Sequence, residues 1–580
     1  MASAFFASRF GRHAERATQP RLVLFALAAI ILVLVLGPLI VLIHASFLPP
    51  GGLPLSSERL TLGNYVAAFG QSDTYILVRN TLWYAGGSVV VSVLLATGIA
   101  WLAERTDLPF RATVHALMFS WMAVPPLVMA FGWILLLNPN NGALNVALKA
   151  LFGLADSPLT INSMWAMIGV TGVSLVPTTF VMVSNILRNM DPQLENAGTA
   201  SGAGRLTVLR RITLPLLSPG ILSVAIYLFM VMVQAFDVPL AVGLTARVPV
   251  LSTRIYVLTA GNESTPDYGL SSALGVVLML IAIGLMWGYF RTTRVGARFR
   301  VITGKAFRPK RLALGRLRPL MAGLVALYFA TMFLPLLMLV WTSLLPFYQT
   351  PSVEAFDLLS LRNYRDVLGQ SLVHQAFGNT AILVLASATL AMLLASLVSW
   401  YSVRTPSRLA RWLDMLAFLP VAVPHIVIAM AVMILYMRTP LYGTVAILVL
   451  AHVGIYIAFG TRTMNAALLQ IHEELENAAT VSGAPWTTTL RRIVLPILWP
   501  QFLYGWLWVV AHSARDLTVP LMLMSTGNLV VSSLLWLMWE YPNVPGAAAL
   551  SIVLVAALIA MVVTVQHFGL RRAARFDPAT

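Results

Sequence analysis

Two polar segments carry the residue patterns in this chain that are best suited to a function. Residues 194–215 read LENAGTASGAGRLTVLRRITLP, and residues 475–496 read LENAATVSGAPWTTTLRRIVLP. Each segment combines a carboxylate, a glycine and a pair of arginines, and each is followed at once by a long apolar run. These residue types suit non-covalent docking rather than bond-making chemistry. A polar sequence that is kept twice in a hydrophobic chain therefore indicates a docking surface for a partner in the water phase.

A second group of ionisable residues lies at the ends of two apolar runs. Asp237 ends one run, and Arg515 and Asp516 end another, with His512 nearby. Ionisable residues inside a membrane are rare and usually functional. These four residues are therefore candidates to line a polar pathway across the membrane. The interpretation that we favour is that Arg515 pairs with Asp516 or Asp237 and holds the helices together.

No grouping in the sequence predicts a catalytic or metal centre. Cysteine is absent, which excludes disulfides, cysteine-ligated zinc, iron–sulfur clusters and thiol nucleophiles. The phosphate-binding pattern Gly-x-x-x-x-Gly-Lys-Ser/Thr does not occur either. His425 follows Pro424, and we interpret it as a packing residue rather than a ligand. The chain is therefore predicted to be neither an enzyme nor a cofactor-binding protein.

The composition is that of an integral membrane protein. Hydrophobic residues make up 59% of the 580 residues and charged residues only 10%, against about 25% charged residues in soluble domains. The net charge of +17 does not predict nucleic-acid binding, because the basic residues collect in short segments between apolar runs. That distribution is typical of cytoplasmic loops.

The N-terminus has the features of a retained membrane helix. Arg9, Arg12, Arg16 and Arg21 precede residues 22–43, which carry no charge. This run is longer than the 7–15 residues, roughly, of a cleaved signal. We predict an all-α protein of twelve membrane helices, because every apolar run far exceeds the ~10 residues of a barrel strand. The runs are 22–46, 81–103, 113–137, 163–187, 216–236, 268–290, 319–345, 380–403, 415–436, 441–461, 497–514 and 546–568.

The chain is an internal repeat of two six-helix halves. Several short motifs recur at an offset of 299 residues, and the polar segments recur at an offset of 281. The first half therefore has 18 extra residues, which we assign to the loop around 138–142. An even number of helices makes the halves parallel. The motif pairs are Leu62-Gly63-Asn64-Tyr65 with Leu361-Arg362-Asn363-Tyr364, Asn80-Thr81 with Asn379-Thr380, Arg105-Thr106 with Arg404-Thr405, and Ala123-Val124-Pro125 with Ala422-Val423-Pro424.

The repeat predicts three parts of the chain. Residues 1–290 form the first permeation half, residues 291–318 a basic cytoplasmic linker, and residues 319–580 the second half. An even helix count places both termini on one side of the membrane. The basic segments make that side the cytoplasm.

Each polar segment is predicted to form two short helices joined at a bend beneath the membrane. Gly202 and Gly483 can adopt a positive φ, and Pro215 and Pro496 are placed at a helix start, where a missing N–H has little cost. The alternative is a pair of ordinary amphipathic helices that rest on the lipid surface.

The polar segments resemble the EAA loop of binding-protein-dependent ABC importer permeases. The family pattern is Glu-Ala-Ala, three residues, Gly, nine residues, Ile, any residue, Leu and Pro. Both segments keep the spacing from the glycine to the final proline. The resemblance implies a coupling surface made by Glu195, Asn196, Ala197, Gly198, Gly202, Ala203, Ile212, Leu214 and Pro215, and by Glu476, Asn477, Ala478, Ala479, Gly483, Ala484, Ile493, Leu495 and Pro496.

The two segments depart from the family pattern at three positions. Asn196 and Asn477 stand where the family has glutamate, and Gly198 stands where it has the second alanine. Glu195 and Glu476 lie one residue earlier. The salt bridge that the family glutamate forms is therefore either made by the neighbouring glutamate or absent.

The resemblance implies a type I ABC importer permease in the bacterial inner membrane. In that family the bent segments fit clefts on two cytoplasmic ATPase subunits, which bind ATP and Mg²⁺, and a periplasmic binding protein delivers the substrate. No cofactor is implied in this chain. The alternative from another class is an ion-coupled secondary transporter, since twelve helices in two parallel halves also describe that class.

The substrate is indicated by a weaker resemblance. A fused double permease with these motifs looks most like the ferric-iron importer permeases, whose relatives carry thiamine, polyamines, phosphonates or phosphate esters. The motifs are Phe236-Asp237-Val238-Pro239-Leu240, Thr253-Arg254-Ile255-Tyr256 and Pro266-Asp267-Tyr268-Gly269.

Overall fold

In the computed structural model, the regular secondary structure of the described residues is helical. Among these residues, ten helices are long and apolar enough to cross a membrane, and two bent helix pairs bring the number to twelve if each pair is one span. The predicted helical membrane fold is confirmed. The structure describes residues 21–52, 54, 59–190, 193–261, 265–296, 312–405, 407–541 and 543–575.

We number the spans along the chain. The first half contains span 1 (Val23–Ser46), span 2 (Ser72–Arg105), span 3 (Arg111–Trp121 with Pro126–Leu137), span 4 (Met164–Asn189), span 5 (Leu209–Val233) and span 6 (Tyr268–Arg291). The second half contains span 7 (Gly315–Ser343), span 8 (Ser371–Arg404), span 9 (Arg408–Ala422 with His425–Tyr436), span 10 (Val445–Leu469), span 11 (Arg491–Arg515) and span 12 (Val544–Thr564).

Spans 3 and 9 are broken near their midpoints. Their two helices meet at angles of 102° and 110°. Proline disfavours a helical conformation in the residue before it and removes a backbone donor. Pro125 and Pro424 are extended at the breaks, with ψ of 137° and 139°. Each span is therefore broken at its proline rather than gently bent.

The two halves interlock through their first spans. The second part of span 1 packs against span 9 of the other half, and span 7 packs against the second part of span 3. Gly132 permits this second contact, because a Cβ atom at that position would lie 2.5 Å from the carbonyl oxygen of Pro335. In each half, the broken span thus packs against the first span of the other half.

The repeated motifs make the same contacts in both halves. The Asn64 side chain donates to the Ser46 carbonyl oxygen at 3.2 Å, and its equivalent Asn363 donates to the Ser343 carbonyl oxygen at 2.9 Å. Both asparagines thereby cap the outer end of the first span of their half, whose last carbonyl groups have no partner within the helix. The repeat that the sequence predicts is confirmed by these contacts.

Each half also contains a short buried helix that the sequence analysis did not predict. Leu251–Ala260 lies between spans 5 and 6, and Val531–Glu540 lies between spans 11 and 12. Thr81 accepts a hydrogen bond from the first amide of the first helix at 2.9 Å, and Thr380 does the same for the second at 3.0 Å. The duplicated threonines therefore hold these helices against spans 2 and 8.

The extra residues of the first half lie where the sequence places them. Leu137 and Met164 are separated by 26 residues, whereas Tyr436 and Val445 are separated by 8, a difference of 18. The longer connection contains a helix, Ala143–Phe152. It lies at the membrane face opposite the polar segments, because span 4 connects the two.

The linker between the halves is described only at its ends. Residues 297–311 lie outside the described residues. Beyond them, the amide of Leu312 donates to the Arg105 carbonyl oxygen at 2.9 Å, and the amide of Asp107 donates to the Leu312 carbonyl oxygen at 3.1 Å. The linker therefore ends against the loop that follows span 2.

Candidate functional site

The polar segments bend at their glycines. In the first segment the helix Gln193–Ala200 is followed by Gly202 with φ of 82°. In the second segment Glu473–Val481 is followed by Gly483 with φ of 75°. Such φ values favour glycine over residues that carry a Cβ atom. The predicted bend is confirmed in both segments.

The second helix of each segment differs from its prediction. It does not lie separately beneath the membrane but continues into the span that follows. A π-helical stretch, Leu209–Thr213 in one segment and Leu490–Val494 in the other, makes the connection. Pro215 and Pro496 occupy the first α-helical turn after it. A π-turn shifts the hydrogen-bond spacing from four residues to five, which accommodates a proline without a break.

A buried ion pair ties each polar segment to the bundle. Arg105 Nε lies 3.3 Å from Glu195 Oε2, and Arg404 Nε lies 2.9 Å from Glu476 Oε1. The arginine side chains are 3% and 8% exposed, and the glutamates 8% and 19%. Thr213 also donates to Glu195 at 2.6 Å. The open question from the sequence is thereby answered, because the glutamate one residue before the family position forms the salt bridge.

The same arginines bind the ends of spans 4 and 10. Arg105 Nη2 donates to the carbonyl oxygens of Leu187 at 3.0 Å and Met190 at 3.1 Å. Arg404 Nη2 donates to the Ile471 carbonyl oxygen at 3.0 Å. The last carbonyl groups of a helix have no partner within it, so each guanidinium satisfies them. Each arginine therefore connects three elements: the end of one span, the end of a second span and a polar segment.

The remaining predicted coupling residues form a surface around each bend. A Cβ atom at Gly198 would lie 2.6 Å from Ile212 Cδ1, so an alanine there would require the Ile212 side chain to shift. Apolar side chains next to the bends face outward, with Leu194 55% and Val481 89% exposed. The Asn196 side chain lies outside the described part. The exposed residues are Ala197, Gly202, Leu214, Pro215, Asn477, Ala478, Gly483, Leu495 and Pro496, the half-buried ones are Gly198, Ala203, Ile212, Glu476, Ala484 and Ile493, and the buried ones are Glu195 and Ala479.

A second candidate site lies between the halves inside the membrane. Arg515 Nη1 donates to the Met122 carbonyl oxygen at 2.6 Å, and Met122 is the residue at the break of span 3. Asp516 Oδ2 lies 2.9 Å from His452 Nε2. Within the described residues the predicted ion pair of Arg515 with an aspartate is therefore wrong. Asp237 of the first half lies within electrostatic range of both Arg515 and Asp516.

Aromatic rings surround these polar groups. Trp508 stacks on His512 with ring centroids 3.6 Å apart, and Phe459 stacks on its ring at the same separation. Tyr456 stacks on His452 at 5.5 Å and meets His425 edge-on at 6.4 Å. His425 thus packs against a ring, as predicted. His452 is not among the residues predicted from the sequence, although a lone histidine within an apolar run is a signal for a functional position.

The membrane-interior site is asymmetric. The polar side chains named above come from the second half, except for Asp237, which lies within electrostatic range of Arg515 and Asp516. In the described residues no group of three or more His, Asp or Glu side chains could hold a metal ion. At the offset of 281 residues, the first-half equivalents of His452, His512, Arg515 and Asp516 are Thr171, Val231, Gln234 and Ala235.

Known proteins similar to this chain include permeases named for iron transport. A Haemophilus influenzae protein named for ferric transport is 26% identical over 474 residues, covering 76% of this chain and 72% of its own. A ferric transport system permease protein of Actinobacillus pleuropneumoniae is 27% identical over 461 residues, covering 76% and 63%. A Salmonella typhimurium permease named for 2-aminoethylphosphonate transport is 28% identical over 174 residues, covering 30% and 64%.

The solved structures that resemble the chain include the crystal structure of a bacterial alginate ABC transporter in complex with a pentasaccharide-bound periplasmic protein. The match has a TM-score of 0.39 and 18% identity, and it covers 51% of this chain and all of the other. A family model, the inner membrane component of binding-protein-dependent transport systems, matches residues 88–292 and 387–572, which together exceed half of the chain. This chain belongs to that family and is a multi-pass permease of an ABC importer in the inner membrane.

Proposed function

We propose that the two polar segments couple this permease to two cytoplasmic ATPase subunits. The observation that carries the proposal is the pair of buried joints, Arg105 with Glu195 and Arg404 with Glu476. Each joint connects an exposed, bent segment to the ends of two spans, so a displacement of the segment is transmitted to both. A partner that moved only an isolated surface helix would not move the bundle.

ATP acts on this permease through the partner subunits, which bind ATP and Mg²⁺. Moving a two-state equilibrium from 1:99 to 99:1 requires a difference in binding free energy of about 5.5 kcal/mol between the states. Through the joints, a movement of the polar segments that accompanies ATP binding changes the positions of the spans. In this proposal the polar segments and both termini lie in the cytoplasm, and a periplasmic binding protein delivers the substrate to the opposite face.

The substrate route in this proposal passes between the halves at the membrane-interior site. Arg515 and Met122 close it in this conformation, because their hydrogen bond joins span 11 to the break in span 3. Asp237, His512 and Asp516 face the same region. Opening the halves separates Arg515 from Met122 and exposes these side chains to the substrate.

Ferric iron is the substrate we propose, on the basis of the relatives that are named for ferric transport. The described residues hold no group of metal ligands, so iron passes the site without being coordinated there by several side chains. Thiamine and polyamines are less well supported, since no relative reported above is named for them.

A phosphonate or phosphate ester is the second candidate substrate. A relative is named for 2-aminoethylphosphonate transport, and the guanidinium of Arg515 is a suitable partner for a phosphonate oxygen. This candidate accounts for a cationic side chain in the pathway better than a bare ferric ion does.

Reconstitution of the full transporter tests both parts of the proposal. The permease is co-purified with its ATPase and incorporated with ATP inside proteoliposomes, and the loaded binding protein is added outside. We expect ATP-dependent uptake of ⁵⁵Fe(III) and two ATPase subunits per permease. Uptake of a phosphonate but not of iron would show that the phosphonate, and not ferric iron, is the substrate. Uptake that follows an ion gradient without ATP would overturn the coupling proposal in favour of a secondary transporter.

A further inference from the structure

The helix Ala143–Phe152 has its polar side chains inside and its apolar side chains outside. It belongs to the extra segment of the first half and has no equivalent in the second. Asn145 is buried and holds the segment together. Its Nδ2 donates to the carbonyl oxygens of Asn138 at 3.0 Å and Leu159 at 2.9 Å, and its Oδ1 accepts from the amide of Leu159 at 3.0 Å. The helix is therefore held in one orientation.

The outward face of this helix is entirely apolar. Residues at positions i, i+1, i+4 and i+5 share one side of a helix, and here these are Val146, Ala147, Ala150 and Leu151, all exposed. Leu151 is 75% exposed, and Phe152 at the end of the helix is 64% exposed. An apolar outward face is poorly solvated by water and favours contact with lipid. The half-buried Lys149 on the same helix suits the phosphate-rich headgroup boundary.

Exposed tryptophans lie at the end of the bundle that the extra segment joins. Trp165 at the start of span 4 is 70% exposed, and Trp83 on span 2 is 56% exposed. Their rings meet edge-on at 5.9 Å. Tryptophan is enriched at the boundary between hydrocarbon and headgroups. The pair therefore marks the membrane boundary at the end of the bundle where span 4 begins, which is also the end that the extra segment joins.

We propose that Ala143–Phe152 lies in the headgroup region of the outer leaflet as a membrane-surface helix. A transient protein partner would leave the apolar face in water between encounters, whereas lipid covers it at all times. The helix then fixes the height of the loop that joins spans 3 and 4. This loop is also bonded to the second half. The Tyr348 hydroxyl lies 2.8 Å from the Leu135 carbonyl oxygen and 2.7 Å from that of Asn141, and it donates its hydrogen to these acceptors.

The absence of native cysteine makes a direct test possible. Single cysteines replace Ala147 and Leu151 on the apolar face, and Asp156→Cys in the exposed loop beyond the helix is the control. Ala147→Cys is a small change that retains the fold if Leu151→Cys does not. The full-length chain is labelled with bimane and placed in nanodiscs of phosphatidylethanolamine and phosphatidylglycerol that contain a lipid with a doxyl group at carbon 5.

We expect doxyl quenching to be at least threefold stronger at positions 147 and 151 than at position 156. Iodide quenching should be at least threefold weaker at positions 147 and 151 than at position 156. Equal iodide quenching at all three positions would overturn the proposal. Protection from iodide that arises only when the periplasmic binding protein is added would also overturn it, because the face would then belong to that protein.

Discussion

The Nε atom of Arg105 lies 3.3 Å from the Glu195 carboxylate in a nearly dry environment, since these side chains are 3% and 8% exposed. The contact joins the end of span 2 to a polar segment more than 80 residues further along the chain. Its counterpart in the second half, between Arg404 and Glu476, is shorter at 2.9 Å but has a more exposed carboxylate. Both joints are therefore ion pairs between the end of a span and a polar segment, but the first is more deeply buried than the second.

Removing one carboxylate from these joints should weaken the fold and transport in proportion to its burial. Glu195→Ala leaves the Arg105 guanidinium buried without its charge partner, which costs about 3–5 kcal/mol. Glu476→Ala should cost less, because water reaches that carboxylate. We expect a lower melting temperature and at least a tenfold loss of uptake for Glu195→Ala, measured by thermal unfolding in detergent and by proteoliposome transport.

A surface ion pair provides the control for this comparison. Arg362 and Asp366 pair at 3.3 Å with both side chains largely exposed, and such pairs contribute little. Asp366→Ala should leave melting and uptake unchanged. An equal effect of Asp366→Ala and Glu195→Ala would show that burial does not decide the outcome.

Bulky side chains at both bends should abolish transport while membrane insertion is retained. No atom lies within 4 Å of a Cβ atom built on Gly202 or Gly483, so within this chain the substitution strains only the left-handed backbone, at about 1–2 kcal/mol per site. A docked partner would occupy that open space. For the double variant Gly202→Trp, Gly483→Trp we expect at least a tenfold decrease in ATPase co-purification.

The control for this variant is Gly153→Trp, which has φ of 63° and equally open surroundings but lies at the opposite membrane face. It carries the same backbone strain without touching the coupling surface, and ATPase co-purification should be unchanged. Normal uptake by the double variant would contradict the coupling role of the bends.

The apolar patterning and the repeat could be predicted from the sequence because both are properties of residue order. The position of the 18 extra residues and the bends at Gly202 and Gly483 follow from spacing and from the backbone freedom of glycine. The short helix Leu251–Ala260 could not be predicted, because ten residues are too few for a membrane span. The duplicated Asn80-Thr81 motif was its signal, since Thr81 binds the start of that helix.

The partners of the charged residues depend on tertiary structure. Arg515 precedes Asp516 in the sequence, so an ion pair was a reasonable expectation, yet its guanidinium binds the Met122 carbonyl oxygen almost 400 residues away. A sequence pattern can indicate which side chains could pair. Here, however, the acceptor is a backbone carbonyl group that a helix break exposes. The break itself follows from Pro125, but its angle of 102° is set by packing.

Substitution of Arg515 separates a structural role from a role in substrate passage. Arg515→Gln retains donors for the Met122 carbonyl oxygen but loses the charge, and Arg515→Leu loses both. If the charge acts on the substrate, both variants should lose at least tenfold in uptake while melting of Arg515→Gln is little changed. If only the hydrogen bond matters, Arg515→Gln should retain uptake. The first-half equivalent Gln234 bonds within its own helix, so Gln234→Leu should alter uptake less than twofold.

The contact of Tyr348 with the first half should stabilise the outer ends of the two halves. Its hydroxyl lies 2.8 Å from the Leu135 carbonyl oxygen and 2.7 Å from that of Asn141, so Tyr348→Phe should destabilise the protein by about 0.5–1.5 kcal/mol per hydrogen bond lost. Thermal unfolding measures this effect. Tyr442→Phe, at a tyrosine that is 41% exposed, should change the melting temperature by less than about a degree.

The same contact predicts a dependence on alkaline pH. Burial raises the pKa of Tyr348 from 10.0 to about 12, because the charged phenolate is poorly solvated there. The folded state thus holds its proton more tightly than the unfolded state. The stabilisation is complete below pH 10 and is lost as the pH rises to about 12. The melting difference between the native protein and Tyr348→Phe should therefore be constant from pH 7 to 9.5 and shrink above pH 10; a difference that shrinks near pH 8 would contradict the buried contact.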